Sequence, residues 1–203
     1  MRKLLFMLII GMLIAGLVGC NNPQAEITSK PGDYFPLGVN NRWNYLGEGN
    51  EYASYIREMP FVKNNQAQTY VDNGGTVAAE VFRIDADTVT RTFFAGEKYE
   101  QENMLEGGFT SNDHTVIIKS PLNKGTVWKN DGETREIVAI DARVNTPAGD
   151  FSDCLQIKIT NPDSTSTVFE YYAAGVGMVK REFIDGDFSI TSTLQEYNLV
   201  SGQ

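Results

Sequence analysis

Hydrophobic and polar residues alternate with a period of two along much of the chain. The pattern is clearest in three stretches, 138–144, 151–159 and 188–194. Within the second stretch Asp153 breaks a regular alternation whose apolar members are Phe151, Leu155, Ile157 and Ile159. Successive side chains of a strand point to opposite faces, and a sheet with one buried face and one wet face gives this pattern. The alternation therefore predicts antiparallel strands rather than parallel βαβ units.

Turn signals separate these stretches at short intervals. Asn-Gly and Asp-Gly pairs supply the positive φ that tight hairpins need. Residues 146–150 are predicted to form a hairpin loop between strands 134–145 and 151–160, because Pro147 presets φ and Gly149 accepts a positive φ. Other turn signals are Gly47-Glu48-Gly49-Asn50, Asp72-Asn73-Gly74-Gly75, Ala95-Gly96, Asn130-Asp131-Gly132, Asn161-Pro162-Asp163 and Asp185-Gly186-Asp187.

After the N-terminal 20 residues, no segment sustains apolar residues at helical spacing over three turns. Residues 97–106 have a helix-friendly composition, but they follow Ala95-Gly96, and Tyr99 and Leu105 also suit one face of a strand. We predict a strand there. In total the sequence predicts about ten strands, mostly joined by hairpins. The expected fold is all-β, a single domain built as an antiparallel meander that forms a strongly curved sheet, a half-barrel or a barrel.

The N-terminus carries a different signal. Arg2 and Lys3 precede an apolar run of 15 residues from Leu4 to Val18. A helix of that length spans about 22 Å, whereas a bilayer core of about 30 Å needs about 20 residues. The run is therefore short for an uncleaved membrane helix, the alternative interpretation, and suits the apolar region of a signal peptide at residues 1–19.

The residues that end this run, Leu17-Val18-Gly19-Cys20, resemble the lipobox of bacterial lipoproteins. The resemblance implies cleavage before Cys20 and a diacylglyceryl thioether on Cys20, which becomes the lipidated N-terminus. Residues 20–32 are then expected to form a flexible tether, and residues 33–203 the β-rich domain. Two or more acyl chains hold a protein stably at a bilayer. The predicted location is a bacterial membrane, with the domain outside the cytoplasm.

Charge limits the choice of partners. The full chain has 17 basic and 26 acidic residues, a net charge of −9. Loss of Arg2 and Lys3 with the signal peptide leaves 15 basic residues against 26 acidic, a net charge of −11. Such a chain is repelled by nucleic-acid phosphates and anionic headgroups. We expect no nucleic-acid partner, and contact with the membrane only through the lipid on Cys20.

Candidate catalytic and metal-binding residues are few. With Cys20 lipidated, Cys154 is left alone and is expected to be a small buried hydrophobe; a Cys/His pair would have to use His114, whose polar flanks predict a turn before a strand. The Asp85/Asp87 and Asp185/Asp187 pairs are expected to be solvated turn residues rather than calcium ligands. We therefore predict no catalytic residues, no metal site, no cofactor and no enzymatic activity.

Four stretches resemble the signatures of a β-rich domain that recurs in bacterial exported proteins and lipoproteins. They are residues 34–45 (signature FPL.G..W.Y, which reads FPLGVNNRWNY in this chain), 125–128, 146–155 (TPAG.F..C) and 171–180 (GVG.VK). The resemblance covers about residues 34–197 and implies a curved antiparallel sheet without a transferable catalytic assignment. Gly175-Val176-Gly177 is interpreted as a turn and not as a phosphate loop, because a strand and not a helix is predicted to follow it.

Aromatic residues give the one functional indication, and most are expected to fill the core. Several lie within predicted strands: Tyr52, Tyr55, Tyr70, Phe82, Phe93, Phe94, Tyr99, Phe169, Tyr171, Tyr172 and Tyr197. On an uncovered concave face they would bind an apolar or peptidic ligand, as in the half-barrel lipoprotein carriers that this chain resembles in outline. The ligand-binding residues are not specified by the sequence.

Three hypotheses follow, each with its own structural expectation. A binding or carrier module predicts a continuous apolar cavity of a few hundred Å³. A structural or interaction lipoprotein, which binds another envelope protein, predicts a filled core and an exposed apolar patch. A hydrolase, the least favoured alternative, predicts ionisable side chains that converge on a cleft.

Overall fold

A computed structural model describes residues 29–200 and contains one antiparallel sheet of 12 strands. The strands follow one another around the sheet, with β1 placed beside β12, so the order from edge to edge is β6-β5-β4-β3-β2-β1-β12-β11-β10-β9-β8-β7. The predicted all-β meander is therefore confirmed. The strands are β1 (Asn41–Glu48), β2 (Tyr55–Lys63), β3 (Gln66–Asp72), β4 (Val77–Ile84), β5 (Thr88–Ala95), β6 (Thr115–Lys119), β7 (Val127–Asn130), β8 (Glu133–Thr146), β9 (Gly149–Thr160), β10 (Thr167–Ala173), β11 (Gly177–Asp185) and β12 (Phe188–Asn198).

The sheet curls until its two edge strands, β6 and β7, face each other. Side chains rather than a backbone ladder join these edges. The indole of Trp128 donates to the Val116 carbonyl at 2.8 Å, and the Asn130 amide both accepts from Val116 N at 2.9 Å and donates to the Val116 carbonyl at 3.1 Å. Arg135 of β8 donates to the Ile117 carbonyl at 3.2 Å. These bonds satisfy edge groups that would otherwise be open to pairing, and they nearly close the sheet into a barrel.

One end of the barrel is plugged by the segment that precedes β1. Its 3-10 helix, Pro31–Tyr34, has Pro31 and Tyr34 buried. Phe35 packs on Phe82 of β4 with ring centroids 4.6 Å apart. Pro31 and Gly32, assigned to the tether by the sequence, thus belong to this plug.

Both ends of the described chain lie at this plugged end. Asn41 at the start of β1 is buried and accepts from Val200 N at 2.7 Å. The hairpin turns β2–β3, β4–β5, β8–β9 and β10–β11 lie at the same end, because consecutive antiparallel strands turn at alternate ends. The opposite end, which we call the mouth, carries the turns β1–β2, β3–β4, β7–β8, β9–β10 and β11–β12.

The predicted strand at 97–106 is wrong. The β5–β6 connection, residues 96–114, instead packs against the outer surface of β3 and contains one helical turn, Met104–Gly107. Gln68 and Tyr70 of β3 bind its backbone: Gln68 Nε2 donates to the Glu102 carbonyl at 2.7 Å, and the Tyr70 hydroxyl accepts from Glu102 N at 3.0 Å. Polar side chains of the sheet therefore satisfy backbone hydrogen-bonding groups of this segment, in place of a neighbouring strand.

Asp153, which broke the alternation in the sequence, marks a β-bulge. Its φ is +54°, and the register with β8 shifts between the pairs Ala142–Cys154 and Val144–Phe151. Because Ala142 and Val144 lie on one face of β8, the extra residue places Phe151 and Cys154 on that same face. The predicted hairpin is otherwise present, with β8 ending at Thr146 and β9 starting at Gly149.

Candidate functional site

A cavity of about 540 Å³ occupies the barrel interior and opens at the mouth. Strand ends from around the mouth form its rim, and several of them are exposed, among them Phe94 and Asp131. The cavity volume falls within the usual range for small-molecule sites, about 300–1,000 Å³. The remaining rim residues are Val71 of β3, Ala78 of β4, Thr115 of β6 and Glu133 of β8.

The part of the cavity next to the plug is apolar, and sequence motifs build it. Trp43 lines the cavity and donates from its indole to the Val176 carbonyl at 2.7 Å. The Tyr45 hydroxyl donates to the Met178 carbonyl at 2.8 Å. These two bonds fix β1 to the β10–β11 turn and to the start of β11, where Gly177 has a φ of +100° that favours glycine. The motifs at 34–45 and 171–180 therefore form the base of one cavity, and Gly175–Gly177 is a structural turn as predicted.

The walls of the cavity carry buried charges that the sequence analysis did not identify. Glu80 of β4, only 5 % exposed, accepts from Arg57 Nη2 at 3.1 Å and from Arg91 Nη1 at 3.2 Å. Arg91 also donates from Nε to Asp113 at 2.5 Å. Arg57, Glu80, Arg91 and Asp113 thus alternate in sign, and we call them the first ion chain.

A second ion chain lies on strands β8, β10 and β11. Glu170, 8 % exposed, accepts from Arg135 Nη1 at 3.1 Å and from the Tyr172 hydroxyl at 2.7 Å, and Arg181 Nε lies 3.6 Å from its other oxygen. Arg135 also donates from Nε to Glu133 at 2.6 Å. The order Arg181, Glu170, Arg135, Glu133 repeats that of the first chain, with an arginine at one end and a carboxylate at the other.

Mutual neutralisation makes burial of these charges tolerable. Burial by itself raises the pKa of Glu170, but Arg135 and Arg181 outweigh it, and the pKa is held below its usual value. Burial also raises the pKa of Asp113, but hydrogen bonds from Thr115 and Arg91 outweigh it, and this pKa too is below its usual value. Both carboxylates are therefore ionised at neutral pH and are poor proton donors.

The residues considered for chemistry on sequence grounds lie apart from these chains. Cys154 is fully buried. Its burial, together with a smaller effect of the nearby Asp153 charge, raises the pKa of its thiol to about 11. His114 is exposed just before β6. No contact joins the two within the described chain, and Cys20 lies outside the described residues.

The acidic pairs occupy turns, as predicted. Asp85 and Asp87 lie between β4 and β5, where Arg83 donates to Asp85 at 2.8 Å. Asp185 and Asp187 flank the β11–β12 turn. Between residues 29 and 200, no group of three or more His, Cys, Asp or Glu side chains is arranged to hold a metal ion. In the same range no helix is long and apolar enough to cross a bilayer.

The aromatic residues that the sequence singled out do not share one location. Tyr55, Phe82, Phe94 and Tyr172 line the cavity. Tyr52, Tyr99 and Tyr197 are exposed, and Tyr70 is buried against the β5–β6 connection. The others are partly buried: Phe93, Phe169 and Tyr171. Strand parity was the signal that could have revealed the charged walls: Arg57 shares the parity of Tyr55 and Met59, which places it inside the barrel.

Comparison with known proteins supports the fold. No protein-family model matches the sequence, and no curated protein matches it significantly. Among solved structures, a "putative lipoprotein" from Parabacteroides distasonis ATCC 8503 is similar, with a TM-score of 0.50 and 16 % identity over 81 % of this chain and 98 % of the other. A "putative exported protein with YmcC-like fold" (BF2203) from Bacteroides fragilis NCTC 9343 gives a TM-score of 0.38 and 15 % identity over 80 % and 97 % of the two chains. The protein shares its barrel architecture with the first of these.

Proposed function

We propose that this protein is a lipid-anchored extracytoplasmic binding module that takes a small amphiphilic ligand into the barrel. The cavity of about 540 Å³ carries the proposal, because it combines an apolar base with charged walls and an open mouth. Pockets of this kind gain affinity from apolar contacts and orientation from a few placed polar groups. The purely apolar lining expected from the sequence is thereby replaced by a mixed one.

A binding role without catalysis is the better supported interpretation of the buried charges. A hydrolase requires ionisable groups that converge on a cleft, and such groups line this cavity. However, Glu80 and Glu170 each lie between two arginines, and a carboxylate paired with two cations is a weak general acid or base. The cavity lining also lacks both Cys154 and His114. We therefore assign the charges to ligand orientation.

The direction of the mouth bears on how a ligand arrives. The described chain begins at the plugged end, so a tether leading back to Cys20 would leave from that end. The mouth would then face away from the anchoring membrane. This arrangement favours a ligand that reaches the protein from the aqueous phase or from a partner, rather than one drawn from the lipid directly below.

Lipidation of Cys20 has a direct test. Cys20→Ala is expected to abolish incorporation of labelled fatty acid and to release or mislocalise the precursor, since the thioether cannot form. Metabolic labelling and membrane fractionation measure both effects, and Cys154→Ala is the matched control because its thiol is buried. Unchanged membrane attachment of the Cys20 variant would assign the anchor to the apolar run Leu4–Val18 itself.

Ligand binding is tested by native mass spectrometry of the full chain, released gently from membranes in detergent. We expect a co-purifying small molecule that denaturation releases, because a half-open cavity with an apolar base retains amphiphiles. A chain that stays unliganded, also after incubation with envelope extracts, would contradict the binding module. That result would favour the alternative, an interaction lipoprotein with an envelope partner, and crosslinking would then identify the partner.

A further inference from the structure

Arg57 and Arg181, the arginines that end the two ion chains, keep unused hydrogen-bond donors. Arg57 donates from Nη2 to Glu80, and within residues 29–200 its Nη1, which is not fully buried, makes no hydrogen bond. Arg181 has one ion pair, to Glu170 at 3.6 Å, which is longer than a hydrogen bond. Its guanidinium makes no hydrogen bond within residues 29–200, and its side chain, which lines the cavity, is 45 % exposed. By contrast, Arg91 and Arg135 each bridge two carboxylates.

Tyr55 adds a third free donor, close enough to both arginines for each to lower its pKa. Its ring stacks on Tyr45 with centroids 4.4 Å apart, which fixes its position in the cavity wall. Within the described chain its hydroxyl has no hydrogen-bond partner. Burial raises the pKa of Tyr55 to about 12, against the opposing effect of Arg57 and Arg181, so the hydroxyl keeps its proton and can donate. The cavity thus presents two guanidinium groups and a phenol whose donors are unsatisfied.

We propose that Arg57, Arg181 and Tyr55 form a clamp for the carboxylate of a ligand whose remaining body is apolar. This inference rests on the proposed binding function and names its ligand class. The planar fork of a guanidinium matches a carboxylate in bidentate geometry. The apolar body lies toward Trp43 and Phe82 at the base of the cavity. A fatty acid and the C-terminus of a small apolar peptide share this chemistry.

Charge in the cavity favours a singly charged head over a phosphate dianion. The carboxyl groups of Glu80 and Glu170 lie next to the clamp, paired with Arg57 and Arg181, and Asp131 lies at the rim. Each ion chain is neutral as a whole, with its positive end at the clamp. One negative charge is attracted there, whereas a second would be repelled by the nearby carboxylates.

The test uses the full chain in phosphatidylcholine nanodiscs, with empty nanodiscs as the blank. Binding of octanoate and N-acetylphenylalanine, followed by calorimetry, is compared with binding of octanamide and N-acetylphenylalanine amide, which lack the charge. We expect each acid to bind at least ~10-fold more tightly than its amide. Arg181→Gln is expected to remove most of that difference and to fold normally because the side chain is half exposed; Arg57→Gln and Tyr55→Phe should act in the same direction. Arg83→Gln, on an exposed pair outside the cavity, should change nothing.

The outcomes separate the clamp from the binding function. Binding of octanoate alone would indicate a fatty acid, and binding of N-acetylphenylalanine alone would indicate a peptide C-terminus. Either result supports the clamp. Equal binding of acid and amide, or an unaltered preference in Arg181→Gln, overturns the clamp and leaves the binding module standing. If no probe binds at concentrations up to about 10 mM, the clamp is also overturned. The co-purification experiment then decides the binding function by itself.

Discussion

Trp43→Ala is expected to lower the free energy of unfolding by about 3–5 kcal/mol. The indole is 4 % exposed, lies between the plug and the β10–β11 turn, and donates to the Val176 carbonyl. Its loss would leave a cavity where three separate segments meet, and would leave that carbonyl without its donor. Chemical denaturation of wild type and variant, followed by circular dichroism, measures the difference.

Two further substitutions make this result interpretable. Trp43→Phe keeps most of the apolar contact but removes the indole donor, so a smaller loss of about 1 kcal/mol from the hydrogen bond is expected. Tyr99→Ala removes an aromatic ring that is 66 % exposed and should change stability by no more than about 0.5 kcal/mol. A folded Trp43→Ala variant with wild-type stability would contradict the core role of Trp43.

Arg135→Met is expected to cost about 3–5 kcal/mol, the usual effect of breaking a buried ion pair from one side. Arg135 is 5 % exposed and donates to Glu170, Glu133 and the Ile117 carbonyl. Methionine fills similar space but leaves the buried Glu170 with Arg181 as its remaining cationic partner. It also removes one of the bonds that join β6 to the other edge of the sheet. Urea unfolding monitored by tryptophan fluorescence gives the change.

A double variant distinguishes the buried charge from simple loss of packing. Arg135→Met combined with Glu170→Gln should recover part of the lost stability, because no uncompensated buried carboxylate then remains. Arg83→Met breaks an exposed pair with Asp85 and is expected to change stability by less than about 1 kcal/mol. If Arg135→Met had no larger effect than Arg83→Met, the second ion chain would have no structural role.

The folding pattern of the domain could be predicted from local sequence, with one clear failure. The alternation of apolar and polar residues and the Asn-Gly and Asp-Gly turns each depend on only a few neighbouring residues. The antiparallel hairpins and the 146–150 turn could therefore be predicted from the sequence. Residues 97–106 were mistaken for a strand because Tyr99 and Leu105 suit one face. Their conformation is set by Gln68 and Tyr70 on a strand some 30 residues earlier, and such a partner leaves no local pattern.

The sequence by itself determined the class of the sheet, its meandering order and the structural nature of the Gly175–Gly177 turn, because short-range backbone preferences and burial periodicity fix them. Only the tertiary structure decided that the sheet curls until β6 meets β7, that the plug closes one end, and that Arg57, Glu80, Glu170 and Arg181 share one cavity. Those charges are far apart along the chain and lie on four strands of a curved sheet, β2, β4, β10 and β11. Their pairing depends on curvature and register, which arise from the packing of the whole barrel rather than from any single segment.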